Sequence, residues 1–294
     1  MFDLDRIIAH PHQQIELANY ATNYTGTIKD KEESKSIRAA NLEKLTELQD
    51  ILYAFDKHAI LIIFQAMDAA GKDSTIKHVM SGVNPQGCRV VSFKAPSSRE
   101  LQHDFLWRTY RELPERGKIG IFNRSYYEEV LVTRVMPQYI LKQGIPGIKT
   151  LKDITPSFWE ERYRSINEME RHLYQNGTLI LKFFLHLSKE EQKNRFMKRI
   201  ERPDKHWKFD MSDIEARQNW DKYQEAYESA INHTSTNYAP WHIIPADHKW
   251  FMRTAVSQII VDQLEKLNLQ YPKVNKLQLE NIEKARQVLD SEKN

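Results

Sequence analysis

One cysteine, Cys88, excludes an internal disulfide and any multi-cysteine zinc site from this chain of 294 residues. Glycine is scarce as well: nine residues, about half the ~7 per cent usual in soluble proteins, so a glycine beside a lysine carries information. No apolar run approaches the ~20 residues that a membrane-spanning helix needs. The first residues, with Asp3, Asp5 and Arg6 among them, build no signal-peptide core. A cytoplasmic location without membrane contact is the expectation. An excess of one charge is missing too, since 43 Lys and Arg against 40 Asp and Glu leave +3. That balance excludes a histone-like coat for nucleic acid, while local patches stay open. What is present, 40% hydrophobic and 28% charged residues, describes a globular chain of roughly two domains, or one α/β domain with helical additions.

The first 33 residues read as an irregular arm. From Ser36 to Phe55, Leu42, Leu45, Leu48, Ile51, Leu52 and Phe55 recur at helical spacing. Ala59 to Phe64 is a short apolar run that reads as a strand buried on both faces. Further strands are expected at Arg89 to Phe93, Lys118 to Phe122, Thr178 to Leu187 and Trp241 to Ile244. Between and after them, helices are expected at Thr75 to Met80, Ser98 to Leu113, Ser125 to Val135, Pro156 to Gln175 and Asp247 to Leu267. Ser188 with Glu191, and Ser212 with Glu215, have capping-box spacing around an Arg202 to Met211 loop. This alternation predicts an α/β fold, a parallel sheet flanked by helices on both faces.

The most specific feature follows the first strand: Gln65-Ala66-Met67-Asp68-Ala69-Ala70-Gly71-Lys72-Asp73-Ser74-Thr75. A phosphate-binding loop needs backbone N–H groups around an anion, a helix N-terminus aimed at it, and a lysine for the outer phosphates. Ala69, Ala70 and Gly71 supply the turn and Lys72 the charge. Ala66 and Asp73 depart from the usual Gly and Ser/Thr, and Asp68, Ser74 and Thr75 are placed to restore magnesium and phosphate contacts.

A second polar cluster, Asn123-Arg124-Ser125-Tyr126-Tyr127-Glu128-Glu129, follows the strand at Lys118 to Phe122. Ligands bind at the carboxyl ends of parallel strands, so the two clusters can share one crevice. Arg124 can neutralise phosphoryl charge, and Glu128 or Glu129 can bind magnesium or position a nucleotide. These two segments, together with Gly82-Val83-Asn84-Pro85-Gln86-Gly87 and Phe93-Lys94-Ala95-Pro96-Ser97, resemble the second polyphosphate kinase family. Its members are phosphate-loop kinases similar in fold to thymidylate kinase. The likeness runs from about Leu42 to about Leu267.

The resemblance implies reversible, Mg²⁺-dependent transfer of a phosphoryl group between inorganic polyphosphate and AMP or ADP, with Mn²⁺ as a stand-in for magnesium. By the same resemblance Asp68, Asp73 and Asn123 are the metal residues, Lys72, Asp68, Asn123 and Arg124 are catalytic, and Asn84 lies in a phosphate-binding motif. Glu128 resembles the subgroup accepting both AMP and ADP, and a homo-oligomer is implied. The chain then divides into an arm and amphipathic helix (1–56), a P-loop kinase domain (57–267) with a helical lid at about 189–212, and a charged tail (268–294).

From Lys189 to Lys208, eight basic residues (Lys189, Lys193, Arg195, Lys198, Arg199, Arg202, Lys205, Lys208) face four acidic ones, a local +4. Arg195, Lys198, Arg199 and Arg202 have helical spacing. A kinase of this architecture needs a cationic lid, so Arg195 and Arg199 are candidate catalytic groups and Lys198, Arg202, Lys205 and Lys208 candidate phosphate ligands. Lys94, Arg99, Arg108 and Arg111, with Arg134 beyond them, can line a groove for the polyanion. Trp107, Trp159, Trp207 and Trp220 are expected in core or interface. Two other readings stay open: an ATP-dependent nucleoside monophosphate kinase, and a polyphosphate or nucleic-acid binding module without catalysis.

Overall fold

The computed structural model describes residues 3–292, with the side chain of Lys208 outside the described set. Its centre is a six-stranded sheet of β1 (Ile8–Ala9), β2 (Ala59–Gln65), β3 (Cys88–Ser92), β4 (Ile119–Asn123), β5 (Thr178–His186) and β6 (Trp241–Pro245), in the order β1-β6-β5-β2-β4-β3. Strands β2 to β6 are parallel, and β1 pairs antiparallel with β6 through Ile8 opposite His242. In the register, Phe64 of β2 stands opposite Asn123 of β4 and Phe183 of β5. The continuous apolar runs are explained by position: β2 is fully buried, with helices on both faces.

Ten helices follow the chain among the described residues: α1 (Lys31–Phe55), α2 (Lys72–Val79), α3 (Trp107–Tyr110), α4 (Val132–Val135), α5 (Pro156–Gln175), α6 (Lys189–Ile200), α7 (Met211–Gln218), α8 (Trp220–Thr234), α9 (Lys249–Glu265) and α10 (Lys276–Ser291). One core lies under α1, α2 and α9, with Leu45, Leu48, Leu52, Ile76, Phe251 and Ile259 against Ile60, Ile62 and Phe64. The other lies under α5 and α8, where Tyr163, Ile166, Tyr227 and Ile231 meet Leu61, Ile63, Ile180 and Phe184. The α1 helix is thus built into the first core, so the expected boundary at 56/57 marks no gap in packing.

Several expectations are corrected. The N-terminal arm contributes β1, and α1 begins at Lys31 because Asp30 caps it, accepting from Glu32 N and Glu33 N. The helix expected at Ser98 to Leu113 breaks into a 3₁₀ turn, Glu100–Gln102, and the single turn of α3. Ser97 and Asp104 take neighbouring backbone N–H groups, offering the chain an alternative to helix. The helix expected at Ser125 to Val135 is a 3₁₀ turn, Tyr126–Glu129, followed by α4. Asp210, not Ser212, caps α7. A 3₁₀ segment at Pro203–Lys208 occupies the expected loop, and α9 starts after Asp247, whose carboxylate instead accepts from Thr22 and Ser188. Trp207 is 77% exposed, contrary to a core placement, whereas Trp220 is buried. Residues of α10 lie at the surface throughout, and no helix among the described residues is long and apolar enough to cross a membrane.

Candidate active site at the carboxyl ends of β2 and β4

Strand β2 ends at Gln65 and the chain turns through residues 66–71 into α2. Ala69 (φ +60°) and Gly71 (φ +107°) both lie in the left-handed region that makes this tight curl. At Gly71 any side chain is strained, and a Cβ would also stand 3.3 Å from Ser74 Oγ. The N-terminus of α2 opens onto this curl, leaving its first N–H groups available to an anion. Lys72 Nζ folds back to donate to Ala66 O at 2.8 Å. Ser74 and Thr75 hydroxyls both donate to Gly71 O at 3.0 Å, so they stabilise the turn in this state.

The loop after β4 lies alongside. Arg124 N donates to Phe64 O (3.0 Å), and the Arg124 guanidinium donates to Asp68 Oδ1 at 2.9 Å. Asn123 Nδ2 donates to Asp73 Oδ1 at 2.5 Å. With its amide oriented to satisfy both ends, Gln65 donates to Glu128 Oε1 (2.9 Å) and accepts from Ser125 N (3.2 Å). Asp68, Lys72, Asp73, Asn123, Arg124 and Glu128, separated by up to 60 residues, therefore converge, as the sequence pattern anticipated.

Burial and mutual charge shift the titration of the groups in this cluster. Burial, and then the Arg124 cation, push the Lys72 ammonium below its usual range against the pull of Asp68, Glu128 and Asp73. Burial raises Glu128 despite Arg124 and Lys72. For Arg124, burial is outweighed by Glu128 and Asp68, which hold its charge more firmly than usual. On the facing wall, burial raises the Tyr223 phenol to about 12 and lifts Tyr227 well above its ordinary range, with Glu128 and Asp68 adding to both.

The carboxylates here could supply a metal with part of its coordination. Mg²⁺ commonly takes one or two protein carboxylates and fills its remaining positions with water and phosphate oxygens. Asp68 and Asp73 supply two carboxylates that could meet that requirement, each now accepting an N–H on Oδ1, from Arg124 and from Asn123 Nδ2. Among the described residues no group of three or more His, Cys, Asp or Glu forms an all-protein metal cage.

The lid residues separate into different jobs. Arg195 is buried, and all five of its N–H groups are engaged: Nε with Glu191 (2.8 Å), Nη1 with Ala69 O and Ala70 O (3.2 and 2.6 Å), and Nη2 with Ala246 O and Asp247 O (2.6 and 3.1 Å). These bonds turn it towards the backbone of the loop after β2 and of residues 246 and 247, away from the exposed face of α6. Its partner Glu191 is thereby diverted from closing the capping box of Ser188, which accepts from Glu191 N alone. Arg199 is paired with Asp213 at 2.8 Å, and Lys198 is exposed. Arg202 lies beyond the end of α6, so the four cations do not form one stripe. Arg202 and Lys205 both pair with Asp204, whose carboxyl they pull down to about 2 through hydrogen bonds.

The remaining expected ligands lie outside this cluster of contacts. Asn84 caps a short 3₁₀ turn by accepting from Gln86 N. Lys94 is exposed just after β3. Arg108 pairs with Glu100 (3.1 Å) and stacks on Phe93, and Arg111 stacks on Trp107. Arg134 donates to Tyr163 OH at 3.2 Å and lies over Trp159.

Sequence reasoning missed the supporting residues. Gln192 Nε2 donates to Asp68 O at 3.0 Å. Arg162, buried between Phe105 and Phe158, holds Glu129 at 3.0 Å and also meets Gln143. Glu129 is thereby committed to structure, leaving Glu128 as the carboxylate facing the site. A buried polar residue inside an apolar pattern, such as Gln65 at the end of β2, was the signal available.

Residues 28–272 match the family model described as polyphosphate kinase 2. The chain is 50% identical to an ADP-polyphosphate phosphotransferase of Rhodopseudomonas palustris, over 94% of this chain and 95% of that one. It is 46% identical to an AMP/ADP-polyphosphate phosphotransferase of Meiothermus ruber, over 89% and 93%. Among solved structures, polyphosphate kinase 2 from Arthrobacter aurescens superposes with a TM-score of 0.83 at 38% identity, covering 92% of this chain and 91% of that one.

Proposed function

This chain belongs to the polyphosphate kinase 2 family, and we propose from that premise that it uses both AMP and ADP as acceptors at the Lys72–Arg124 crevice. It is a phosphotransferase acting between inorganic polyphosphate and adenine nucleotides. The observation carrying the site assignment is the convergence of Lys72, Arg124, Asp68 and Glu128 at the carboxyl ends of β2 and β4.

The phosphoryl group passes directly from the donor chain to an acceptor phosphate oxygen, which is already a competent nucleophile, so no protein nucleophile is required. In-line transfer spreads negative charge over the migrating group. Lys72, released from Ala66 O, meets that charge from the loop side, and the forked Arg124 meets it from the β4 side. Glu128, directed by Gln65, orients the acceptor. The left-handed curl of residues 69–71 holds backbone donors ready, and Arg195 keeps that curl rigid from behind. Asp68 and Asp73, with Asn123 beside them once its amide turns from its Nδ2 contact with Asp73, would hold Mg²⁺, which would supply charge neutralisation at phosphate oxygens. Lys198, Arg199, Arg202, Lys205 and Lys208 belong to the lid in this proposal. Cytoplasmic location and self-association belong to it as well.

The test is a product assay with AMP and ADP offered separately, with Mg²⁺ and either polyphosphate or ATP as donor. ADP from AMP and ATP from ADP are expected with polyphosphate. ADP formation from AMP with ATP alone would reassign the protein as a nucleoside monophosphate kinase, and absence of turnover would leave a binding module. Because cations read a polyanion without sequence, KM for long polyphosphate should climb steeply between about 50 and 200 mM salt. KM for ADP should climb far less.

A further inference from the structure

Lysine is rarely fully buried, yet Lys182 sits inside the apolar run of β5 with no exposed surface. Its three N–H groups are all engaged: Glu170 Oε2 at 2.6 Å, Thr234 O at 2.7 Å and Tyr127 OH at 3.0 Å. Glu170, equally buried on α5, accepts the Tyr126 and Tyr127 hydroxyls on its other oxygen, each at 2.7 Å. Trp241 of β6 donates to Thr234 Oγ1 at 2.9 Å and packs edge-on against Tyr127. The network thus joins β5, β6, α5, the end of α8 and the turn after β4.

Such a pair is a poor device for stability, because replacing a buried ion pair by apolar side chains is often neutral or stabilising. Its value lies in where it points. Tyr127 immediately precedes Glu128, and the Tyr127 N–H is held by Ser125 Oγ at 3.1 Å. Thr234 ends α8, the helix that presents Tyr223 and Tyr227 towards Glu128 and Asp68. A fully hydrogen-bonded polar core is therefore joined to the residue before Glu128 and to the end of α8.

We propose that Lys182, acting through Glu170, Tyr126 and Tyr127, is a positioning residue that fixes Glu128 and Arg124 for phosphoryl transfer. This rests on the site assignment above. Loosening the network moves the acceptor wall without touching the phosphate loop, and a displacement of about 1 Å at a reacting centre can lower the rate about 10²-fold.

The experiment compares Lys182→Met/Glu170→Gln, which removes both charges together, with Tyr126→Phe/Tyr127→Phe, which removes only the hydroxyls. Ile180→Ala, on the same face of β5, serves as the apolar control. Thermal unfolding gives the folded fraction, and kcat and KM are measured for ADP and polyphosphate. The expected result is a kcat per folded molecule lowered about 10- to 100-fold in both double variants, with KM for polyphosphate unchanged, while Ile180→Ala loses stability but keeps its kcat. The idea fails if either double variant folds and turns over as the wild type does, or if Ile180→Ala loses kcat equally. Should the charge-free pair not fold, the tyrosine pair decides. Lys72→Met in the same series separates this outcome from failure of the site assignment, in which case that variant would turn over as the wild type does.

Discussion

Lys72→Met should lower kcat about 10³-fold or more, because it removes the one cation that the phosphate loop itself supplies to the transferring group. The fold should survive. Lys72 donates to Ala66 O, a hydrogen bond worth about 1 kcal/mol, and the variant also sheds an ammonium that burial and Arg124 push below its usual range. The two effects on stability oppose each other, but their pH dependence has a definite sign. Between the lowered folded value and the ordinary value of about 10.4, the unfolded chain binds more protons than the folded one, so wild-type stability rises with pH there. Met has no such term. The melting temperature of the variant, relative to wild type, should therefore be most favourable at neutral pH and fall as pH climbs through that window. Turnover at the wild-type level would remove the loop from the mechanism.

Much of this site was legible because its chemistry is local to strand ends. Ala59 to Phe64 and Lys118 to Phe122 differ by one residue at their ends from β2 and β4, since strands covered on both faces read as unbroken apolar runs. Gly71-Lys72 and Asn123-Arg124 then fall where an open α/β sheet binds ligands. What stayed hidden is held by contacts distant in sequence. Arg195 reads as a lid cation by spacing, yet it turns inward because loop carbonyls at 69, 70, 246 and 247 lie behind it. The Ser125 to Val135 stretch has helical composition, but pinning the Tyr126 and Tyr127 hydroxyls to Glu170 holds the turn in another shape. At two residues, β1 is below the length at which alternation can be seen. Lys182 was the overlooked clue: a lysine in the middle of a buried strand demands a partner.

Arg124→Gly should separate activity from stability. Arg124 holds φ at +62°, a left-handed conformation that costs a residue other than glycine about 1 kcal/mol or more. Glycine relieves that strain, while its greater freedom in the unfolded chain takes back about 0.5–1 kcal/mol. The lost ion pair with Asp68 spans 2.9 Å between side chains 40% and 24% exposed, and solvent screening keeps it under about 1 kcal/mol. These terms nearly cancel, so the melting temperature should stay within a few degrees of wild type. Turnover should nevertheless drop about 10³-fold or more, the scale on which a forked arginine serves phosphoryl transfer. Arg124→Lys should fall between the two, keeping the charge and the strain but losing the fork. If the glycine variant kept its kcat, the left-handed residue would serve only the turn between β4 and Ser125, and the migrating charge would have to be met by Lys72 and the lid alone. A strained arginine placed 2.9 Å from Asp68 beside the loop argues for the other outcome: the backbone conformation is what turns the guanidinium into the crevice.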